Sequence, residues 1–453
     1  MTERRMQSRA RALAAALIAV ASTTATAIAS GPTAPAPSPE GPSSVRIVED
    51  DGRYRLLVNG APFHVKGAGL QGGDQEALAA RGGNAFRTWR PDSPSESGRE
   101  MLDRAKRNGL FVALGIEVGK ERHGFDYDDP AAVAAQQARI RAEVLQYKDH
   151  PALLMWVVGN ELNLEATNPA VWDAVDSIAE MIHEIDPNHP VMTTLAGIDR
   201  AVVEQVKARA DSLDLLGIQL YGDIDGLPQK LRESGWTGPY IVTEWGPTGH
   251  WESPLTAWGA PIEDDSSTKA RLLERRYRTA IESDRRQGLG SFVFLWGQKQ
   301  ERTPTWYGLF LPSGESTASI DAMQRVWTGR VPGNVSPSIT PIEIEGRRAV
   351  ESITLVPGRS YAARVDTDDA DGDALDHRWT IRAESTARTV GGDPEEVPTE
   401  VATRFEVNQG GGVRFDAPLH PGAYRLFVEV RDGAGHAAYA NAPFQVAEQA
   451  DPK

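Results

Sequence analysis

The sequence predicts an eight-stranded parallel β/α barrel followed by a small all-β sandwich. Three observations predict it. Apolar runs of strand length alternate with helical patterns through the first two thirds of the chain. Two of those runs end in a glutamate: Leu153–Val158 leads into Gly159-Asn160-Glu161, and Tyr240–Thr243 leads into Glu244-Trp245-Gly246. Past Trp327 the helical periodicity stops, and short alternating segments separated by turn residues replace it. In a parallel barrel all strands end at one mouth, so carboxylates placed at strand C-termini meet there.

Composition narrows the partners. The chain has 453 residues, 40% hydrophobic and 25% charged, with a net charge of −15. That balance allows a large core and argues against nucleic acid or anionic lipid as a general partner, while leaving a neutral polysaccharide open. Cysteine is absent, which excludes disulfides, thiolate metal sites, a cysteine nucleophile and a lipid anchor on an N-terminal cysteine.

In chain order, Arg4, Arg5, Arg9 and Arg11 precede an apolar stretch, Ala12 to Ala21, too short to span a bilayer. Small residues follow at Ala25-Thr26-Ala27 and Ala27-Ile28-Ala29. Residues 1–29 therefore read as an export signal, and the expected location is periplasmic or extracellular. Residues 30–44 are rich in Pro, Ser, Gly and Ala and read as a linker. The barrel unit is expected over 45–330, opened by a short β-hairpin. Val45–Val48 and Tyr54–Val58 are extended runs joined through Asp51-Gly52, and Asn59-Gly60 makes the next turn.

Phe63–Lys66 is the expected first barrel strand and Ala85–Trp89 the second. A helix around Arg99–Arg107 stops at Asn108-Gly109. Leu110–Ile116 is the third strand, ending at Glu117, and a helix spans Pro130–Tyr147. The Glu161 run is the fourth strand. Trp172–Ile185 is a periodic helix stopped by Pro187. Val191–Leu195, Leu213–Leu220, Ile241–Glu244 and Ser291–Trp296 complete the eight, with a helix over Lys269–Arg286 before the last. A doubly wound sheet is the rival. Gly67-Ala68-Gly69-Leu70-Gln71-Gly72 resembles its phosphate turn, but no helix pattern starts promptly and no acidic strand end follows at the required distance. Residues 331–337 read as a linker, 338–447 as an immunoglobulin-like β-sandwich and 448–453 as a polar tail. No later segment is apolar enough to cross a membrane.

Cleaving a glycosidic bond needs one protonated and one ionised carboxyl. Glu161 and Glu244 supply that pair from two strands. The amide of Asn160 can bond a sugar hydroxyl next to the reacting carbon. The Tyr221 phenol, closing the sixth strand, can orient Glu244. Arg87, on the second, can help keep that carboxylate ionised. Trp296, at the eighth strand's end, offers an indole face to a sugar ring.

With those residues in view, Gly159-Asn160-Glu161 and Thr243-Glu244-Trp245-Gly246 resemble the retaining glycoside hydrolases of clan A, and most of all the catalytic TIM barrel of glycoside hydrolase family 2. Asn84-Ala85-Phe86-Arg87-Thr88 resembles that family's second-strand Asn-x-x-Arg-Thr. The resemblance covers about residues 45 to 330. It implies that Glu161 is the general acid/base and Glu244 the nucleophile of a double displacement, with Asn160, Arg87, Tyr221 and Trp296 in support. The family's usual front sandwich domains are missing, so the resemblance does not carry the sugar across.

Two loops have the composition of substrate loops: Trp245–Ser267, with Trp251 and Trp258, and Gly297–Ser316, with Gln298 and Lys299. Aromatics beside polar side chains suit sugars, whose faces are apolar and whose edges are hydroxylated. Glu117 reads as a polar lining residue. His123 has no second ligand at helical spacing and reads as surface loop. The acidic run Asp366–Asp373 offers the clustered oxygens that calcium takes, and calcium stays an alternative there, but the run lacks the spacing of a full calcium loop and the favoured reading is a solvated turn. It resembles, with His377-Arg378-Trp379 and Val430-Arg431-Asp432-Gly433, PKD-type or cadherin-like modules. No metal and no cofactor is expected; the expected partner is a β-linked glycan. A transglycosylase on the same site and a non-catalytic carbohydrate-binding barrel are the alternatives. An acyl hydrolase is set aside, for no Gly-x-Ser-x-Gly elbow is present.

Overall fold

The computed structural model describes residues 41–408 and 410–448. The export signal expected at 1–29, most of the 30–44 linker and the tail beyond Glu448 lie outside the described residues.

Val45–Asp50, Arg53–Val58 and Ala61–Phe63 form a three-stranded antiparallel sheet. Asp51 and Gly52 sit at φ 53° and 67°, and Asn59 and Gly60 at 51° and 79°. Two successive positive φ values make the type I′ turn that Asp-Gly and Asn-Gly favour. Val45, Leu56 and Val58 share one core with barrel residues Val65, Ala113, Met155, Met192 and Phe292. The sheet therefore plugs the end of the barrel where the strands begin. Ser43, expected in the linker, is buried there. Its Oγ donates to the Leu153 carbonyl at 2.6 Å and lies 2.9 Å from His189 Nε2. The folded part thus starts before residue 45.

Eight parallel strands close a barrel: Val65–Gly69, Ala85–Arg87, Phe111–Ile116, Leu153–Val158, Val191–Ala196, Leu215–Gln219, Tyr240–Trp245 and Gly288–Val293. The last pairs with the first. The fourth is buried at every position, as its unbroken apolar run requires. Several ends differ from expectation; the second strand, for one, stops at Arg87 rather than Trp89. Phe63 belongs to the hairpin sheet, opposite Leu56, and the eighth strand stops at Val293, three residues before Trp296.

The helix Pro130–Tyr147 matches its expected span, capped by the Asp129 carboxylate on the amides of Ala131 and Ala132. The helix expected over 269–286 runs instead from Ser266 to Arg276 and ends in a π-turn, Tyr277–Ile281. Asp265 starts it early by accepting the Thr268 amide at 2.9 Å. Asp284 ends it by accepting the amides of Arg286 and Gln287, a competing local turn.

The C-terminal module has two main sheets. One contains Asp376–Ala383, Gly422–Arg431 and His436–Val446; the other contains Glu343–Ile344, Ser360–Arg364, Phe405–Val407 and Val413–Asp416. Trp379, Leu426, Val428 and Phe444 of the first share a core with Ile344, Ala363 and Phe415 of the second. The module is fastened to the barrel. Ser316–Thr317 adds a parallel strand to His436–Val446. Buried Lys269 bonds Glu263 at 2.5 Å, the Thr305 and Trp306 carbonyls, and Tyr439 Oη at 3.2 Å. Glu263 accepts in turn from Asn441 Nδ2 at 2.6 Å. A buried ion pair of this kind adds little net stability, but losing either partner strands a charge. The acidic turn is not simply solvated either: Asp373 accepts from Asn334 Nδ2 at 2.8 Å and Asp371 from the Val335 amide at 2.7 Å, which pins the 331–337 segment.

Candidate active site

The site is built at the mouth where the barrel strands end. Glu244 is next to last on the seventh strand and Arg87 is last on the second. Arg87 Nη1 donates to Glu244 Oε1 at 2.7 Å, and Trp89 Nε1 donates to the same oxygen at 3.0 Å. Tyr221 Oη donates to Oε2 at 3.1 Å. Arg87 is fully buried and Glu244 is 6% exposed. A buried carboxylate is tolerated only when its oxygens are hydrogen-bonded and its charge is met; here three donors converge on it, one of them cationic. Burial and the Glu244 charge hold the Tyr221 phenol far above its usual range, so it stays a donor.

Glu161 is positioned by an unusual backbone. Gly159 and Glu161 both take positive φ, 75° and 52°. That is free for glycine and strained for glutamate. A Cβ on Gly159 would stand 2.6 Å from Leu162 Cδ1, so the first turn requires glycine. The second is held by the Glu161 amide donating to the Thr194 carbonyl at 3.1 Å. Strain of this sort gathers at functional sites. Burial, and after it the charge of Glu244, push Glu161 up to about 7, while Lys120, Arg87 and Arg122 act in the opposite sense. The two glutamates thus feel each other across the mouth.

Asn160 lies between them. Its Oδ1 accepts from Arg87 Nη2, from Gln219 Nε2 at 2.8 Å and from Thr194 Oγ1 at 3.3 Å. With the oxygen taken by donors on three other strands, the amide NH2 is the group turned to a ligand.

Of the sequence-predicted residues, Glu161, Glu244, Arg87, Asn160 and Tyr221 come together. Trp251 joins them at the rim: it is 60% exposed, with its ring edge-on to Tyr221 at 5.4 Å. Others depart from expectation. Trp296 is 1% exposed, donates Nε1 to the Asp74 carbonyl at 3.1 Å and stacks on Trp327. It packs behind the mouth and has no face left for a sugar, because the strand ends before it. Trp258 lies in the turn Leu255–Pro261, whose Ala257 amide and Pro261 carbonyl bond Ser352 and Arg425 of the module, so its loop faces the module. Gln298 donates to Pro304 within its own loop. Lys299 is half-buried between Glu301 and the Gly392 carbonyl.

Sequence reasoning missed Trp89, Gln219 and Lys120. Gln219 ends the sixth strand, so the rule that found Glu244, a polar side chain at a barrel strand's C-terminus, reaches it too. Trp89 sits two residues past a strand that stops at Arg87, and only the closed barrel shows its indole N–H aimed at Glu244. Lys120 follows the third strand and is half-buried; burial, and next the charge of Arg122, hold its amine below the usual lysine range.

A closed β/α barrel whose mouth holds one carboxylate clamped by three donors and a second driven toward neutral pKa has the two differing carboxyls that glycoside cleavage calls for. Residues 74–249 match the family model described as "Glycosyl hydrolases family 2, TIM barrel domain". Solved structures with a similar fold include the Bifidobacterium dentium β-glucuronidase complexed with coumarin-3-O-glucuronide (19% identity, TM-score 0.50, covering 63% of this chain and 49% of that one). They also include the β-D-glucuronidase of Dictyoglomus thermophilum (16%, 0.49, 64% and 54%) and Bacteroides uniformis β-glucuronidase 2 covalently bound to cyclophellitol-6-carboxylate aziridine (15%, 0.49, 89% and 48%). At 19% identity the likeness to the first of these is one of fold alone. The chain spans about half the length of these relatives. Among the described residues, no helix is long and apolar enough to cross a membrane.

Proposed function

We propose that the protein is an exported retaining β-glycosidase, with Glu161 as acid/base and Glu244 as nucleophile. The observation that carries the reading is the contrast between the two glutamates: one is clamped by Arg87, Trp89 and Tyr221, the other is pushed up to about 7. Two carboxyls whose environments differ in this way divide the acid and nucleophile roles. In the first step a Glu244 oxygen bonds to the anomeric carbon as the glycosidic C–O bond breaks. The Glu161 proton goes to the departing oxygen. In the second, water attacks the same carbon, its proton passes to Glu161, and the bond to Glu244 breaks. The NH2 of Asn160 holds the neighbouring hydroxyl, and Trp251 covers the sugar face. Export is supported by the basic and apolar start of the chain.

Purified protein assayed on a panel of aryl β-glycosides and β-linked oligosaccharides tests the reading directly; turnover is expected on at least one sugar, and none on any would contradict it. On that substrate kcat/KM falls as pH rises through about 7, because Glu161 must carry its proton to assist departure. Glu161→Ala lowers kcat/KM by about 10²- to 10⁴-fold for poor leaving groups and far less for activated aryl groups, which depart without a proton. The same variant should also flatten the alkaline limb. An unchanged limb would remove Glu161 from the acid role.

A further inference from the structure

The C-terminal module carries one long excursion with no role in its own core. Glu384–Pro398 contains no strand or helix, only a turn at Gly391-Gly392. Loops of this length in compact domains usually serve function. Its stem is closed within the module: Arg382 bridges Glu400, and the Ala383 amide donates to the Thr399 carbonyl at 3.2 Å. Glu384 still pairs with Arg425 of the module at 2.7 Å, and it is Ala387–Glu395 that meets the loops of the barrel.

On one side the tip meets the loop after the eighth strand. Lys299 Nζ donates to the Gly392 carbonyl at 2.6 Å. The Arg302 amide donates to Glu395 Oε2 at 2.6 Å, and its guanidinium reaches the carbonyls of Ala387 and Thr389. The Glu395 side chain is wholly buried in that contact. On the other side it meets the loops after the third and fourth strands. Asp393 pairs with Arg122 at 3.3 Å and His123 at 3.2 Å. A Cβ on Gly391 would stand 2.7 Å from Arg122 Nη2 and 2.8 Å from Leu164 Cδ2.

Both footholds adjoin the reacting groups. The Leu164 amide donates to the Glu161 carbonyl at 3.1 Å. Lys299 lies 5.9 Å from the Phe294 ring, which packs edge-on against Trp89 and Tyr221, the two aromatic donors to Glu244. Farther round, His250, next to Trp251, lies 3.5 Å from Glu301. The rim is thus continuous from the seventh-strand loop, through the eighth, across the module's tip, to the third and fourth.

We propose that residues 384–398 of the C-terminal module form a wall of the sugar site that ends the cleft on that side, so that the enzyme removes units from a chain end and cannot cut within a chain. The inference rests on the hydrolase reading and deepens it. Asp393 and Glu395 are positioning residues of that wall; neither touches the reacting atoms.

The test uses the full chain with the excursion excised, Ala387–Glu396 replaced by Gly-Ser-Gly, alongside Asp393→Asn as a milder variant. Wild type and variants are first treated with activated 2-deoxy-2-fluoro β-glycosides of the panel sugars and weighed intact, then incubated with the β-linked polysaccharide of the sugar that labels. Wild type is expected to release single terminal units. The excised variant is expected to release internal fragments, with kcat on the aryl monosaccharide within about threefold of wild type. For Asp393→Asn, KM on oligosaccharides shifts while kcat on the aryl glycoside does not. If both wild type and excised variant are labelled and give the same products, or if wild type itself cuts internally, the wall is overturned while the hydrolase reading stands. If neither protein is labelled by any probe, the hydrolase reading falls and the wall falls with it. An excised variant that is labelled has kept a folded site, so loss of folding is told apart from loss of the wall.

Discussion

Glu244→Ala is expected to abolish turnover, by a factor on the order of 10⁵ or more, the scale on which enzymes lose rate with their nucleophile. The two halves of the mouth explain why nothing compensates. Glu161 is turned into the site by a positive-φ backbone fixed on Thr194, so it cannot swing into the vacated position. The three donors that served Glu244 would be left facing a void. A small external nucleophile such as azide can enter that void. In Glu244→Ala with an activated aryl glycoside it should restore rate and give a glycosyl azide of inverted configuration, because it attacks from the face that Glu244 occupied. Azide rescue in Glu161→Ala should give the opposite, retained, anomer. The same anomer from both variants would overturn the division of roles.

Arg87→Met is the second large effect. Arg87 is fully buried and serves three partners at once: Glu244, Asn160 and the Thr243 carbonyl. Removing it leaves a carboxylate only 6% exposed without its counter-charge. Breaking a buried pair in this way costs about 3–5 kcal/mol, measurable by urea unfolding. Activity falls too, since Asn160 loses a donor on the oxygen that sets its amide. Glu244→Gln keeps the shape and part of the hydrogen bonding but strands the fully buried Arg87 charge, so it should lose stability as well. In the double variant Arg87→Met/Glu244→Gln the two losses should not add, because the charge that made the first expensive is gone. Additive losses would mean that the pair does not act as a unit.

Much of this was legible in the sequence. The fourth strand is an apolar run ended by polar residues, and the structure keeps its limits, Leu153–Val158. Glu161, Glu244, Asn160, Arg87 and Tyr221 follow from asking which polar side chains stand at strand C-termini. Trp296 shows where that question misleads. An indole three residues past a strand's end can turn either way, and here it turns onto Trp327 and the Asp74 carbonyl. The Asp-Gly and Asn-Gly turns announced the hairpin, but not that it would plug the barrel, since plugging depends on Leu56 and Val58 meeting residues far off in the chain. The excursion 384–398 was least legible of all. It has no periodicity, and its meaning lies in ion pairs to Arg122, His123 and Arg302 that sequence spacing does not encode.

The most direct test follows the anomeric configuration of the first product by proton NMR in the opening minutes of hydrolysis of an aryl β-glycoside, before mutarotation, and maps the peptide labelled by the 2-deoxy-2-fluoro probe. The account predicts the β anomer first and the label on Glu244. An α anomer first, or a label on any other residue, would contradict it.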